Sequence, residues 1–251
     1  MSDIDGAAEL ERQELVAQWH GYCPICRHSA TFSARQTWFR DHLLCDSCGS
    51  IPRERALMLV LEREVPKWCT LAIHEISPLF RGTSEVIRRE CPGYVPTYFY
   101  PETPPGTVAS SGFRCEDVEL QTFADQTFDV VISQDVMEHV FRPDRAYREI
   151  YRTLRANGLH IHTTPVYKEK LLSTRRAARK EDGSLAHYAT PEFHGDPINS
   201  EGALVTYHFG HDLPEKIVEW AGFDVEMVRF NDRHHGIVGE FTEVIICRRR
   251  R

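Results

Sequence analysis

The sequence predicts an α/β fold: an open, mostly parallel sheet with helices on both faces, preceded by a small metal-bound ribbon. Three observations carry that expectation. Between residues 128 and 164, a buried-strand pattern, an amphipathic helix and a second strand follow one another at the spacing of a parallel crossover unit. A helix at 212–222 and two apolar runs, Phe223 to Phe230 and Glu240 to Cys247, follow later in the chain. Near the start, Cys23-Pro24-Ile25-Cys26 and Cys45-Asp46-Ser47-Cys48 form two C-x-x-C knuckles with eighteen residues between them.

Residues 1–20, with Leu10, Leu15, Val16 and Trp19 among acids, read as an N-terminal segment holding a short amphipathic helix. Residues 21–51 make the ribbon. Each knuckle turns two sulfurs toward one tetrahedral ion, and Gly49 permits the sharp turn after the second. Ala30 to Ser33 and Thr37 to Phe39 read as a hairpin between the knuckles. Disulfides or redox pairs are the alternative, disfavoured in a reducing compartment; Zn2+ held by Cys23, Cys26, Cys45 and Cys48 is expected. Four protein ligands close such a site, so the metal is structural. The ribbon either packs on the larger domain as a lid or partner surface, or binds nucleic acid. Arg27, His28, Arg35, Arg40 and His42 are a modest basic set, which favours packing.

Residues 52–67 read as a connecting helix and 68–251 as the larger domain. Leu71 to Ile76 is its first strand, Ser84 to Arg89 lies in a helix, Tyr94 to Tyr100 is the second strand, and a third lies near Phe113 to Cys115. Phe128 to Ser133 is an apolar run suited to a strand covered on both faces. Gln134 and Asp135 then stand at its carboxyl end, where open parallel sheets bind ligands. Pro143 and Asp144 suit a first helical turn, and Ala146, Tyr147, Ile150, Tyr151 and Leu154 share one face. Asn157-Gly158 stops that helix before a strand at Leu159 to Thr164. Residues 165–211 form an insertion too long for a plain connection, rich in histidine. Asp212 with Glu215 resembles a capping box, and Gly222 ends the helix that follows.

The chain has 251 residues, 41% of them hydrophobic and 27% charged, enough for one α/β domain and a small appendage. A net charge of −7 disfavours a protein that coats nucleic acid. The lack of a membrane-length apolar run and the polar start lead us to expect a cytoplasmic protein.

Phe128-Asp129-Val130-Val131, Asp135-Val136-Met137-Glu138-His139-Val140 and the run from Tyr147 to Gly158 resemble the middle motifs of class I S-adenosylmethionine-dependent methyltransferases, the type 11-like group in particular. The resemblance is specific over about 115–165 and implies a doubly wound, Rossmann-like sheet with an antiparallel last strand, and S-adenosylmethionine as cofactor. It places Glu75 and the turn through Ser77 beside the methionine part of the cofactor. Tyr98 falls where a ribose-binding acid is usual, Asp117 accepts the adenine amino group, and the Val118 amide meets the ring. The turn Ile76-Ser77-Pro78-Leu79-Phe80-Arg81-Gly82 departs from the usual G-x-G, since Pro78 lacks an N–H and Leu79 and Phe80 add bulk.

The implied activity is methyl transfer to a polar small-molecule or sugar-like acceptor. His139 and His194 are the candidate general bases, because imidazole titrates near neutral pH. A second metal site from His187, His194, His208, His211 and Asp196, or simple loop-orienting hydrogen bonds, are the other readings of these histidines. Two other functions stay open: a methyltransferase-like domain with altered cofactor use or no catalysis, and a zinc-ribbon adaptor for RNA or protein.

Overall fold

The computed structural model describes residues 14–196 and 198–251. The ribbon comprises β1 (Ala17–Cys23), β2 (His28–Ala34), the one-turn helix α1 (Phe39–His42) and β3 (Leu44–Cys45), in sheet order β1-β2-β3. It differs from expectation in two ways. Trp19 lies on a strand and not a helix, and Leu15 and Val16 lead into that strand without helical structure, while Leu10 falls outside the described residues. The hairpin also lies earlier, because the first knuckle is itself its turn: Cys23 pairs with His28, and Arg27 takes the left-handed conformation at φ 57°. Thr37 to Phe39 therefore leads into α1 and forms no strand.

Helix α2 (Pro52–Glu64) follows, with Pro52 at its start and the Glu54 carboxylate accepting from the Ile51 amide at 3.1 Å. Then come β4 (Ile73–Ile76), α3 (Gly82–Glu90), β5 (Tyr94–Tyr98), β6 (Arg114–Cys115), β7 (Phe128–Gln134), α4 (Pro143–Thr153) and β8 (Leu154–Thr163). The insertion holds β9 (Thr174–Arg175), β10 (Ala177–Arg179), β11 (Leu185–His187), β12 (Phe193–His194), β13 (Ala203–Leu204) and β14 (Tyr207–His208), paired as three small antiparallel ladders. Helix α5 (Leu213–Ala221), β15 (Asp224–Val228) and β16 (Val244–Arg248) complete the chain.

The main sheet has seven strands in the order β15-β16-β8-β7-β4-β5-β6. From β8 to β6 the neighbours are parallel, and β16 alone runs against its neighbours, as the sequence led us to expect. Two local expectations fail. Asn157-Gly158 lies inside β8, where the register with β7 shifts, because Asn157 supplies a left-handed residue at φ 62° and a Cβ on Gly158 would crowd the Asp129 carbonyl at 3.0 Å. Asp212 does not cap α5; its carboxylate accepts from the Ser173 amide (2.7 Å) and hydroxyl (2.6 Å), tying the insertion to the helix.

Side chains alternate across β7. Val131 faces a core with Ala146, Tyr147 and Ile150 of α4 and Ile217 of α5, whereas Val130 and Ile132 face the opposite layer. That second layer is where the ribbon sits: Cys23, Phe32 and Leu43 share one cluster with Leu57 and Leu61 of α2 and Leu159 and Ile161 of β8. Phe32 is fully buried there, worth about 2 to 3 kcal/mol of apolar transfer. The ribbon is thus part of the core and not a tethered appendage.

The Arg55 guanidinium reinforces the join. Fully buried, it donates to the carbonyls of Leu43 (2.9 Å) and Gly236 (2.7 Å) and to Ser50, binding ribbon, helix and C-terminal turn together. Burial pulls it down to about 10, and the nearby cysteine sulfurs oppose that fall.

Candidate functional site

A cavity of about 1350 Å³ opens beyond the carboxyl ends of β4 and β7. Its walls come from several parts of the chain, among them the ribbon (Trp38, Arg40, Asp41), α2 (Arg53), the strand ends (Ser77, Asp117, Val118, Gln134, Asp135, His139), the insertion (Glu192, His194, Asp196) and the turn before β16 (Glu240, Phe241). The cavity lies where the sequence placed a crevice, at the carboxyl ends of the strands. Of Leu79, Phe80 and Tyr98, the bulky residues beside the first strand's turn, Leu79 alone lines the cavity. Phe80 is 64% exposed and packs on Tyr98 and Phe113 outside the cavity, and Tyr98 is buried.

The first loop does without a glycine at its tightest point. Ser77 takes the left-handed conformation at φ 51°, its amide held by the Thr97 carbonyl at 2.8 Å. Beneath it, Glu75 is fully buried and accepts from the Ser84 hydroxyl (2.6 Å), Tyr94 hydroxyl (2.7 Å) and Gln134 amide (3.1 Å). Burial raises its carboxyl, and these three donors oppose the rise. Tyr98 gives its hydroxyl to the Pro78 carbonyl. Neither Glu75 nor Tyr98 lines the cavity; both support the loop from below, through the hydrogen bonds just described. Gln134 does line it, and its buried Oε1 has no partner.

Asp135 is left-handed too, at φ 52°, and its carboxylate meets Arg40 of the ribbon and Arg53 of α2, the latter at 3.0 Å. Thr163 Oγ1 donates to its other oxygen at 2.9 Å. Burial alone would raise this acid, but the two guanidinium groups hold it down at about 2. Nothing local in the sequence marks Arg40 or Arg53, 95 and 82 positions away, as site residues. At the far end of the cavity, Asp117 accepts the Glu119 amide at 2.8 Å, a turn-forming bond on one oxygen, and Val118 stands beside it.

The third group is polar. Glu138 and His139 sit on a single 3-10 turn, Met137–His139, pinned when Thr206 of the insertion donates its amide (2.7 Å) and hydroxyl (2.9 Å) to the Glu138 carbonyl. The Glu138 carboxylate is 1% exposed, and burial raises it to about 7. Its Oε1 lies 3.8 Å from His139 Nε2 and 3.9 Å from His194 Nδ1. The structure therefore brings together the two candidate bases, 55 residues apart, and adds Glu138, which sequence reasoning passed over. Burial lowers His139. Among the other insertion histidines, His208 bonds Glu192 at 2.9 Å, His211 donates to the Lys168 carbonyl at 3.0 Å and His187 is exposed, so the five-residue metal set does not assemble among the described residues.

The four knuckle sulfurs converge within 4.8 Å of one another, with Cys23–Cys48 at 3.9 Å and Cys26–Cys45 at 3.8 Å. A tetrahedron with Zn–S of about 2.3 Å has edges near 3.8 Å, whereas a disulfide needs about 2.05 Å. The donor set and its spacing fit zinc.

A comparison with known families matches a methyltransferase domain to residues 102–162, covering β6, β7, α4 and most of β8. A search of curated proteins returns no match. Among solved structures, an S-adenosylmethionine-dependent methyltransferase from Mesorhizobium loti superposes with a TM-score of 0.51 at 15% identity, over 77% of this chain and 98% of that one. A chain from the complex between the Haloferax volcanii Trm112 methyltransferase activator and a methyltransferase gives 0.50 at 13% identity, over 79% and 90%. Sheet order, cavity position and these structures together give the chain the Rossmann-like fold of S-adenosylmethionine-dependent methyltransferases, with a methyltransferase-domain match at its centre.

Proposed function

We propose that this protein transfers a methyl group from S-adenosylmethionine to a polar small-molecule acceptor, and that a structural Zn2+ on Cys23, Cys26, Cys45 and Cys48 fixes the ribbon. One observation carries the reading: a cavity of about 1350 Å³ stands beyond β4 and β7, lined by the polar groups Ser77, Asp117, Gln134 and Asp135. When bound, the cofactor supplies a sulfonium-activated methyl group, so the protein's tasks are alignment and exclusion of water.

Ser77, Gln134 and Asp135 would hold the amino-acid end, with Arg40 and Arg53 as cations for its carboxylate; Asp117 and the Val118 amide would take the adenine. The unpartnered Gln134 Oε1 and the glycine-like backbone at Ser77 both fit a ligand that approaches the main chain. The acceptor then lies toward Glu138, His139 and His194, where a hydroxyl proton would be withdrawn. The ribbon's place in the core and on the cavity wall supports a lid and scaffold role over a free nucleic-acid adaptor.

Isothermal titration with S-adenosylhomocysteine tests the reading. Micromolar binding is expected, and Asp117→Ala should weaken it at least tenfold, about 1.4 kcal/mol. Absence of heat with both the cofactor and its demethylated product at millimolar concentration would sink it.

A further inference from the structure

We propose that Glu138, His139 and His194 form a second metal site, a two-histidine, one-carboxylate set for a divalent transition metal, with its open positions facing the cavity. Two features of these three side chains carry it: where their free atoms point, and what holds their other atoms.

His139 Nδ1 lies 2.9 Å from the Leu204 carbonyl, which can only accept, so this nitrogen carries the proton and Nε2 is left with its lone pair. His194 Nε2 lies 3.3 Å from Glu192 Oε1, so the proton is there and Nδ1 is free. Glu138 is held at Oε2 by the Thr164 hydroxyl at 2.8 Å, while Oε1 is buried without a partner. The three free atoms, Oε1, Nε2 and Nδ1, all lie within 4.8 Å of one another. The outer bond of each imidazole fixes its tautomer in the manner of metal-binding histidines. Glu192, which orients His194, is anchored in turn by His208 (2.9 Å) and Arg176 (3.2 Å).

A buried carboxylate oxygen facing two imidazole lone pairs has only acceptors around it. A proton satisfies one contact at most, whereas a cation satisfies all three. Bonds of about 2.1 Å place tetrahedral ligand atoms near 3.4 Å apart. The observed 3.8 and 3.9 Å therefore need a closure of about half an ångström, within the reach of small side-chain rotations. Nitrogen and carboxylate donors with open positions suit iron, cobalt, manganese or zinc, in contrast to the all-thiolate ribbon. His139 and His194 both line the cavity, so the remaining positions are offered to an oxygen of the acceptor. That last use rests on the proposed methyl transfer; the metal site itself does not.

The test is a Co(II) titration of the full chain with zinc in the ribbon, followed by ligand-field absorbance and total metal content. One equivalent of Co(II) is expected, without a thiolate charge-transfer band. Glu138→Gln and His194→Ala should each weaken it at least tenfold. Glu192→Gln, which removes only the outer support, should cost about 10- to 100-fold. Wild-type protein that takes up no cobalt beyond the ribbon, or Glu138→Gln and His194→Ala binding it as tightly as wild type, overturns the proposal. Should those two variants fail to fold, the wild-type titration and Glu192→Gln still decide it. S-adenosylhomocysteine calorimetry on the same samples separates the two ideas: silent calorimetry with cobalt bound rejects the methyltransferase reading alone.

Discussion

At the scale of single residues, Asp135 joins three parts of the molecule. Its carboxylate sits at the tip of β7, and its two cationic partners come from the ribbon and α2. Arg40 and Asp135 are only 11% and 17% exposed, so solvent screens the pair poorly. Asp135→Asn removes the charge and leaves Arg40 and Arg53 facing one another; a loss of about 3 kcal/mol in urea unfolding is expected. Because its folded carboxyl is depressed to about 2 from 3.8, this contribution is full above pH 3.8 and fades as pH falls through about 2. A wild-type-like midpoint at neutral pH in Asp135→Asn would show that the ribbon needs no such anchor. Asp135 was legible as a site residue because it directly follows a buried apolar strand, at the end where open parallel sheets take their ligands. Glu138, three positions on, was not, since its sequence neighbours do not reveal that Thr206 and His194 close over it.

At the scale of elements, the ribbon is the unit with most consequence. Its knuckles were legible from spacing alone, because a tetrahedral ion dictates the turn geometry of each C-x-x-C pair. Its strands were misplaced, because the same turn pairs the residues flanking the first knuckle and not those between the two. Gly21 shows how tightly it docks: a Cβ there would lie 2.1 Å from the His234 carbonyl, which accepts the Tyr22 amide at 2.8 Å. Since Phe32 and Leu43 share their core with α2 and β8, losing the proposed metal should destabilise the whole chain. Cys45→Ser is expected to abolish the zinc proposed for the ribbon, read by metal analysis, and to lower global stability by about 4 kcal/mol or more. A separate low-temperature melt of the ribbon, with the main transition unmoved, would contradict a shared core.

At the scale of the whole molecule, three buried histidines dominate the response to acid, opposed by the raised carboxyls of Glu75 and Glu138. His74 and His162 are driven by burial down to about 3, and His160 well below its usual value, so all three are neutral in the folded protein. Unfolded, each takes a proton below about 6.5. Their folded values are depressed, so stability is full above pH 6.5 and falls on acidification, by up to about 1.4 kcal/mol per pH unit for each group. Denaturation midpoints should drop between pH 7 and pH 5, and His74→Leu should flatten that slope even if it lowers the midpoint itself. An unchanged slope in the variant would mean that His74 is charged or hydrated in the native state.

The sequence by itself determined the alternation of strands and helices and the cysteine knuckles. Each of these follows from local periodicity, or from ligand spacing within a few dozen residues. Only the tertiary structure decided that Arg40 meets Asp135 across 95 positions, that Glu75 and Tyr98 support the loop from below, and that Glu138 and His194 face one another. Such meetings depend on how separately formed elements dock, and docking is governed by shape and burial that no stretch of sequence displays on its own.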